Sequence, residues 1–347
     1  MRIIIATTQV PFVSGGAESH SAALQKALLA AGHEAEIFAF PFNPSVPERI
    51  LDQMLACRLL DLSTINGREI DRLIALKFPA YLVPHPNKVV WLLHQHRVAF
   101  DLWDQSAPDL NSSPRGIVVR DAIRRADRSL RSARAIFTIS HNVTGRLHYF
   151  CDVDSTPLYH PPPLAESFHS GAAQDYFFFP SRLHWTKRQD LVLKALALTK
   201  APVRVRFAGL PDEHGYKQTL ATMAGDVRVA DRVEWLDYLT HAQKVENYAH
   251  ARAVLFPPFD EDYGYITLEA MLSSKAVITC NDSGGPLEFV LHEETGLISD
   301  PTPQSLAEAM DQLWSDSAVA TKYGEEGRRR YDALGLSWEK IVERLLA

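Results

Sequence analysis

Residues 254–296, VLFPPFDEDYGYITLEAMLSSKAVITCNDSGGPLEFVLHEETG, leave few folds open to this chain. AVLFPP is a short apolar run closed by Pro257 and Pro258, the pattern of a buried strand that ends at a site. FDEDYG is polar and turn-forming, and Gly264 opens a helix, YITLEAMLSS, with apolar Ile266, Leu268, Met271 and Leu272. KAVITC reads as a second buried strand, and NDSGGP as a glycine loop that enters the next helix. Glu261 stands in the first loop and Glu269 inside the helix that follows. Both acids are then held near one helix N-terminus, whose amide N–H groups and dipole favour a bound anion.

The N-terminal end has the same grammar. MRIIIA is a strand, QVPFVSGGAESH a loop, residues 17–31 a helix with apolar Ala23, Leu24, Ala27 and Leu28, and EAEIFAF a second strand. This opening is that of a doubly wound α/β domain, which binds ligands beyond the carboxyl ends of its strands. Gly15 and Gly16 lack side chains, so a phosphate can approach the backbone there; a plain tight turn would use the same two residues. DRLIALKFPAY and NKVVWLLHQHR follow as strands, and the second delivers His94, Gln95, His96 and Arg97 at its end. Alternate residues of a strand share a face, so His94 and His96 are expected to point together. Ordinary loop histidines, an acceptor-site base or sugar contact, and a metal pair all fit. A metal site wants further ligands, and none stands at recognisable spacing.

Seven arginines lie between positions 115 and 134. On a helix from about Ile117, Arg120, Arg124, Arg128 and Arg131 fall on one side, offset in part by Asp121 and Asp127. A solvated face with internal ion pairs explains them, and so does a basic surface for anionic lipid headgroups or a phosphorylated acceptor. PLAESFHSGAAQD is polar and aperiodic, and places a domain boundary near residue 168. The next domain opens on the apolar strand YFFFP. Its loop, SRLHWTKRQD, carries Ser181, Arg182, Lys187 and Arg188 into a helix, a phosphate-binding layout because cations converge on a helix N-terminus.

At 347 residues the chain has room for domains at 1–168 and 169–336, with an amphipathic last helix at 337–347. No apolar run approaches the roughly 20 residues that span a bilayer. The N-terminus reads as a strand and not as a secretory signal. Three scattered cysteines, Cys57, Cys151 and Cys280, suit a reducing cytoplasm, and a net charge of −6 argues against a general nucleic-acid binder.

Taken together, Glu261-x7-Glu269 with Tyr263-Gly264 between, Leu268-Glu269-Ala270-Met271, Gly284-Gly285-Pro286 with Glu288, and Gly15-Gly16-Ala17-Glu18 resemble the retaining GT-B glycosyltransferases of the family 4 type. The resemblance covers nearly the whole chain. It implies two Rossmann-like doubly wound domains facing each other across a cleft, with a final helix that crosses back to the first domain. It implies a cytoplasmic hexosyltransferase that uses a nucleotide sugar, UDP- or GDP-linked, needs no cofactor or metal, and serves a glycan or lipid-linked acceptor. Arg182 and Lys187 would hold the donor diphosphate together with Gly15 and Gly16; Ser181 stands where the family usually has glycine. Glu261 would contact the donor sugar and Glu269 the ribose, with Tyr263, Gly264, Tyr265 and the backbone at Leu236 completing the donor site. His94, His96 and Arg97 would face the acceptor. Asp260-Glu261-Asp262 superficially offers a D-x-D metal motif, but the basic loop supplies cations without one. Other outcomes are a GT-B protein that binds without catalysis, an epimerase, or a phosphorylase; the cofactor-lysine motif of a pyridoxal phosphorylase is not found.

Overall fold

The computed structural model describes residues 1–12, 15–44, 46–104, 110–111 and 114–347. Val13 and Ser14 of the first glycine loop lie outside the described residues. The chain divides into two compact units, Met1–Pro163 with Ser337–Ala347, and Leu164–Leu336.

The first unit runs β1 (Arg2–Gln9), α1 (Gly16–Ala30), β2 (Glu34–Pro41), α2 (Pro47–Leu59), the short hairpin β3 (Thr64–Ile65) and β4 (Arg68–Glu69), β5 (Arg72–Ala75), β6 (Lys88–Leu92), α3 (Pro114–Asp127), β7 (Ala135–Thr138), α4 (His141–Cys151) and β8 (Thr156–Pro157). Its six-stranded sheet has the order β2-β1-β5-β6-β7-β8 and every pair is parallel. A parallel sheet is covered on both faces and its strands are apolar without alternation. Hence Ile3, Ile5 and Ala6 of β1 and Val89, Val90 and Trp91 of β6 are all buried.

The second unit runs β9 (Phe177–Pro180), α5 (Gln189–Leu196), β10 (Val205–Ala208), α6 (Tyr216–Asp226), β11 (Val233–Trp235), α7 (His241–His250), β12 (Ala253–Leu255), α8 (Tyr265–Leu272), β13 (Val277–Cys280), β14 (Gly296–Ser299), α9 (Pro303–Ser315) and α10 (Ser317–Leu334). The strand order is β11-β10-β9-β12-β13-β14, again all parallel. The order reverses between β9 and β12, so the carboxyl ends of those two strands flank the crevice where doubly wound sheets bind ligands. Phe177, Phe179, Phe207, Leu255 and Ile278 fill the core beneath it.

The C-terminal helix α11 (Trp338–Leu346) belongs to the first unit. Ser337 caps it by accepting from the Lys340 amide, and Ile341, Val342 and Leu345 are buried. Arg72 donates to the carbonyls of Leu345 and Leu346 at 2.7 and 3.2 Å, satisfying groups a helix C-terminus leaves without partners. Trp338 packs against His20, Trp91 and His160. His20 Nδ1 and His160 Nε2 are 3.0 Å apart, and burial holds both rings neutral, pushing His20 down to about 3.

Candidate functional site

In the second unit three loops meet at the reversal of strand order. The loop after β9 makes a turn at Trp185–Lys187, capped by His184, whose Nδ1 accepts from the Thr186 amide at 3.3 Å. Beside it runs the loop after β12, joined by the Phe259 amide to the Thr186 carbonyl at 2.7 Å. That loop in turn pairs with the glycine loop after β13. The Asp260 and Glu261 amides donate to Asp282 and Ser283 at 2.9 Å, and Gly285 donates back to Glu261 at 2.7 Å. A Cβ on Gly285 would lie 2.6 Å from the Tyr263 carbonyl oxygen, so the close approach of these loops requires glycine.

Charged side chains bind the same three loops together. Lys187 donates to Glu261 Oε2, and the two side chains are only 14% and 21% exposed. Arg188 makes a two-pronged contact with Asp282 at 2.7 and 2.6 Å, and its guanidinium lies over the Phe259 ring at 5.1 Å. Arg182 pairs with Asp212 at 2.7 Å. That pair is exposed, and exposed pairs contribute little stability, so Arg182 can exchange Asp212 for a bound anion at small cost.

Glu269 sits on α8 with 5% of its surface exposed. Its Oε1 accepts from Lys244 Nζ at 2.7 Å and its Oε2 from the Tyr248 hydroxyl at 2.8 Å. Burial and the Glu269 charge push the Tyr248 hydroxyl well above its usual pKa and keep it a donor. Lys244 and Tyr248, both missed by the sequence reading, share one face of α7 at four-residue spacing; that spacing in HAQKVENYAHA was the available signal. A pocket of about 200 Å³ opens at the carboxyl ends of β9, β10 and β11, with Lys244 in its wall. Leu236, just after β11, donates its amide to the Phe207 carbonyl at 2.8 Å. Tyr263 is buried, edge-on to Tyr265 and Phe289 at 5.5 Å. Gly264 starts α8 with φ +89°, which favours glycine.

In the first unit Gly15 is extended at φ −160°, and a Cβ there would meet only the Glu18 carboxylate, at 3.7 Å. No turn forces glycine at this position. The Gly15 amide donates to Glu18 at 2.8 Å, and Lys77 lies 3.7 Å from the same carboxylate.

The two histidines do not share a strand face. β6 ends at Leu92 and a 3-10 turn at Arg97–Ala99 folds the segment over, so period two does not apply. His94 Nδ1 lies 2.7 Å from the Gln95 carbonyl and donates to it. His96 packs against Phe42 and Phe78, where burial pushes it down to about 4. Arg97 binds Asp101 at 2.6 and 2.8 Å. Between the histidines, Gln95 points inward and donates to Asp127 at 2.9 Å, while the Tyr81 hydroxyl donates to the other oxygen of Asp127 at 2.5 Å.

Asp127 is fully buried, and desolvation raises its pKa to about 7 against the two hydrogen bonds that lower it. A carboxyl whose folded pKa is raised contributes most below the unfolded value near 4, and that contribution is lost as pH climbs to 7. The thermal midpoint of Asp127→Asn is therefore expected to gain on wild type between pH 4 and pH 8. Parallel melting curves across that range would refute the assignment.

The arginine stretch also departs from a single helical face. α3 ends at Asp127, leaving Arg128 and Arg131 on the turn Arg128–Ser132. Arg120 donates to the Ala99 carbonyl at 3.1 Å and stacks over Trp103 at 3.9 Å. Arg131 holds the Asp152 carboxylate at 2.7 Å. Among the described residues no three His, Cys, Asp or Glu side chains form a metal-binding group, and no helix is long and apolar enough to cross a membrane.

Residues 165–330 match the model of the family described as glycosyl transferases group 1. Mouse alpha-1,3/1,6-mannosyltransferase ALG2 is 26% identical over 206 residues, which cover 56% of this chain and 49% of that protein. The chain thus spans about half the length of this curated relative. Sucrose-phosphate synthase from Thermosynechococcus elongatus matches 99% of this chain and 97% of its own, with a TM-score of 0.80 at 18% identity. HepE of Anabaena, in complex with UDP and glucose, matches 100% and 99%, with a TM-score of 0.72 at 17% identity. The chain has the fold of the GT-B glycosyltransferases. Within that fold class, residues 165–330 of its second unit are similar to the glycosyl transferases of group 1.

Proposed function

We propose that this chain is a metal-independent retaining glycosyltransferase. It moves a hexose-type sugar from a UDP- or GDP-linked donor to a glycan or lipid-linked acceptor. The observation that carries this reading is the Lys187–Glu261 pair, fixed among three interlocked loops where the strand order reverses. As the bond from the anomeric carbon to the donor phosphate breaks, charge builds on the leaving diphosphate, and fixed cations stabilise it where it develops. Lys187 has three donor protons, so it holds Glu261 and a phosphate oxygen together; Arg182 adds a second cation, and the backbone at Gly264 gives close approach.

Glu261 accepts from hydroxyls of the donor sugar, beside Tyr263 and Tyr265, and Glu269 accepts from the ribose hydroxyls. The backbone at Leu236 meets the base. The acceptor oxygen bonds to the anomeric carbon on the face the phosphate leaves, and its proton passes to a phosphate oxygen. His94, with His96 and Arg97 in the same segment, orients the acceptor. The exposed arginines beyond α3, led by Arg128, would bring the enzyme to anionic lipid; equal co-sedimentation with neutral and anionic vesicles removes that part.

The test is a thermal-shift panel of UDP, GDP, ADP and their common sugar conjugates, with and without EDTA. A ligand at about 100 times its Kd adds about 2.7 kcal/mol. The expected result is a shift with one nucleotide class, unchanged by EDTA and lost in Glu269→Ala. No shift with any nucleotide overturns the proposal.

A further inference from the structure

Lys244 has no part in the motifs that mark this chain as a glycosyltransferase, yet it meets both the pocket and Glu269. It donates to Glu269 Oε1 at 2.7 Å, lies 5.5 Å above the Phe168 ring, and forms part of the pocket wall at the ends of β9, β10 and β11. Glu269 is nearly enclosed, and burying a carboxylate is costly unless it is paired and hydrogen-bonded. Tyr248 alone supplies one hydrogen bond and no charge. Lys244 supplies the charge and grips the opposite oxygen, so the carboxylate plane is held from both ends.

We propose that Lys244 is a positioning residue that makes the pocket a reader of ribose, selecting ribonucleotides over deoxyribonucleotides. This rests on the nucleotide-sugar reading above. An ionised carboxylate accepts only, and its two oxygens offer about four acceptor directions. Lys244 and Tyr248 occupy one on each oxygen. The second direction on each is suited to two hydroxyl donors side by side, the arrangement of the 2′ and 3′ hydroxyls of a ribose. A sugar without those hydroxyls leaves a buried carboxylate short of two donors, which is the stronger form of discrimination.

The experiment measures binding of UDP, GDP and their 2′,3′-dideoxy counterparts to the full chain by calorimetry, for wild type, Lys244→Met and Lys244→Arg. Wild type is expected to prefer the ribose form of its nucleotide by at least about 100-fold, since the dideoxy form lacks two hydrogen bonds to a charged group, each contributing about 1.5–3 kcal/mol, and 1.4 kcal/mol is tenfold. In Lys244→Met that preference falls below about threefold while affinity for the dideoxy form stays within about threefold of wild type. That internal control shows that the pocket is intact. Lys244→Arg, which keeps the charge, recovers part of the preference. An unchanged ribose preference in Lys244→Met overturns the role of Lys244 and leaves the donor site standing, and so does equal loss of both ligand forms. Failure of wild type to bind either UDP or GDP overturns the nucleotide-sugar reading itself, and this inference with it.

Discussion

Lys187→Ala is expected to lower kcat by about 10²–10³, the usual effect of removing one preorganised donor from a developing negative charge. The substitution removes the cation held in the loop after β9 and with it the ion pair to Glu261. The loops themselves are fixed by backbone hydrogen bonds at Phe259, Asp260, Glu261 and Gly285, and by Arg188 on Asp282. The thermal midpoint should therefore fall by only a few degrees. Lys187→Arg keeps the charge but replaces a compact ammonium with a planar fork, and intermediate activity is expected. Steady-state rates with the donor that stabilises the wild type, read beside circular dichroism, provide the check. Full activity in folded Lys187→Ala would remove Lys187 from the site.

Much of this arrangement is legible in the chain because its signals are local. AVLFPP and KAVITC read as strands since parallel strands, covered on both faces, need unbroken apolar runs, and β12 and β13 lie within them. The glycine loop after β13 is legible from Gly284-Gly285-Pro286, but the helix expected after it is only a 3-10 turn, Gly285–Glu288. What the chain conceals is pairing at a distance. Lys244 and Tyr248 meet Glu269 across 25 and 21 residues, and Arg188 meets Asp282 across 94. Nothing local in either partner announces the other. The histidines fail for a different reason. Period two is valid only while the strand lasts, and β6 stops at Leu92, short of His94. The arginine stretch has the right spacing but not one helix beneath it, because α3 gives way to a tighter turn after Asp127.

Gly209→Ala is expected to destabilise the second unit by at least about 2 kcal/mol, since strained backbone and overpacking each cost roughly 1–3 kcal/mol. Gly209 follows β10 with φ +143°, backbone that residues with a Cβ rarely adopt, and its amide donates to the Asp237 carbonyl at 2.7 Å. A Cβ there would lie 2.1 Å from the Ser181 carbonyl oxygen and 2.9 Å from the Arg182 amide nitrogen. Those neighbours are backbone and cannot swing aside as a side chain would. Relief must come from parting the ends of β9 and β10, which displaces Arg182 and opens the pocket wall, so nucleotide affinity should fall with stability. At roughly 2–4 °C per kcal/mol for a unit of this size, the midpoint should drop by roughly 4 °C or more. Gly225→Ala is the matched control. Gly225 lies in the last turn of α6 with nothing inside 4 Å of its Cβ position, so alanine there meets no clash. A Gly209→Ala protein that melts with wild type would mean that the ends of β9 and β10 are not pressed together as described. A large loss at Gly209 and none at Gly225 ties the tight joint between those strands to the site it supports.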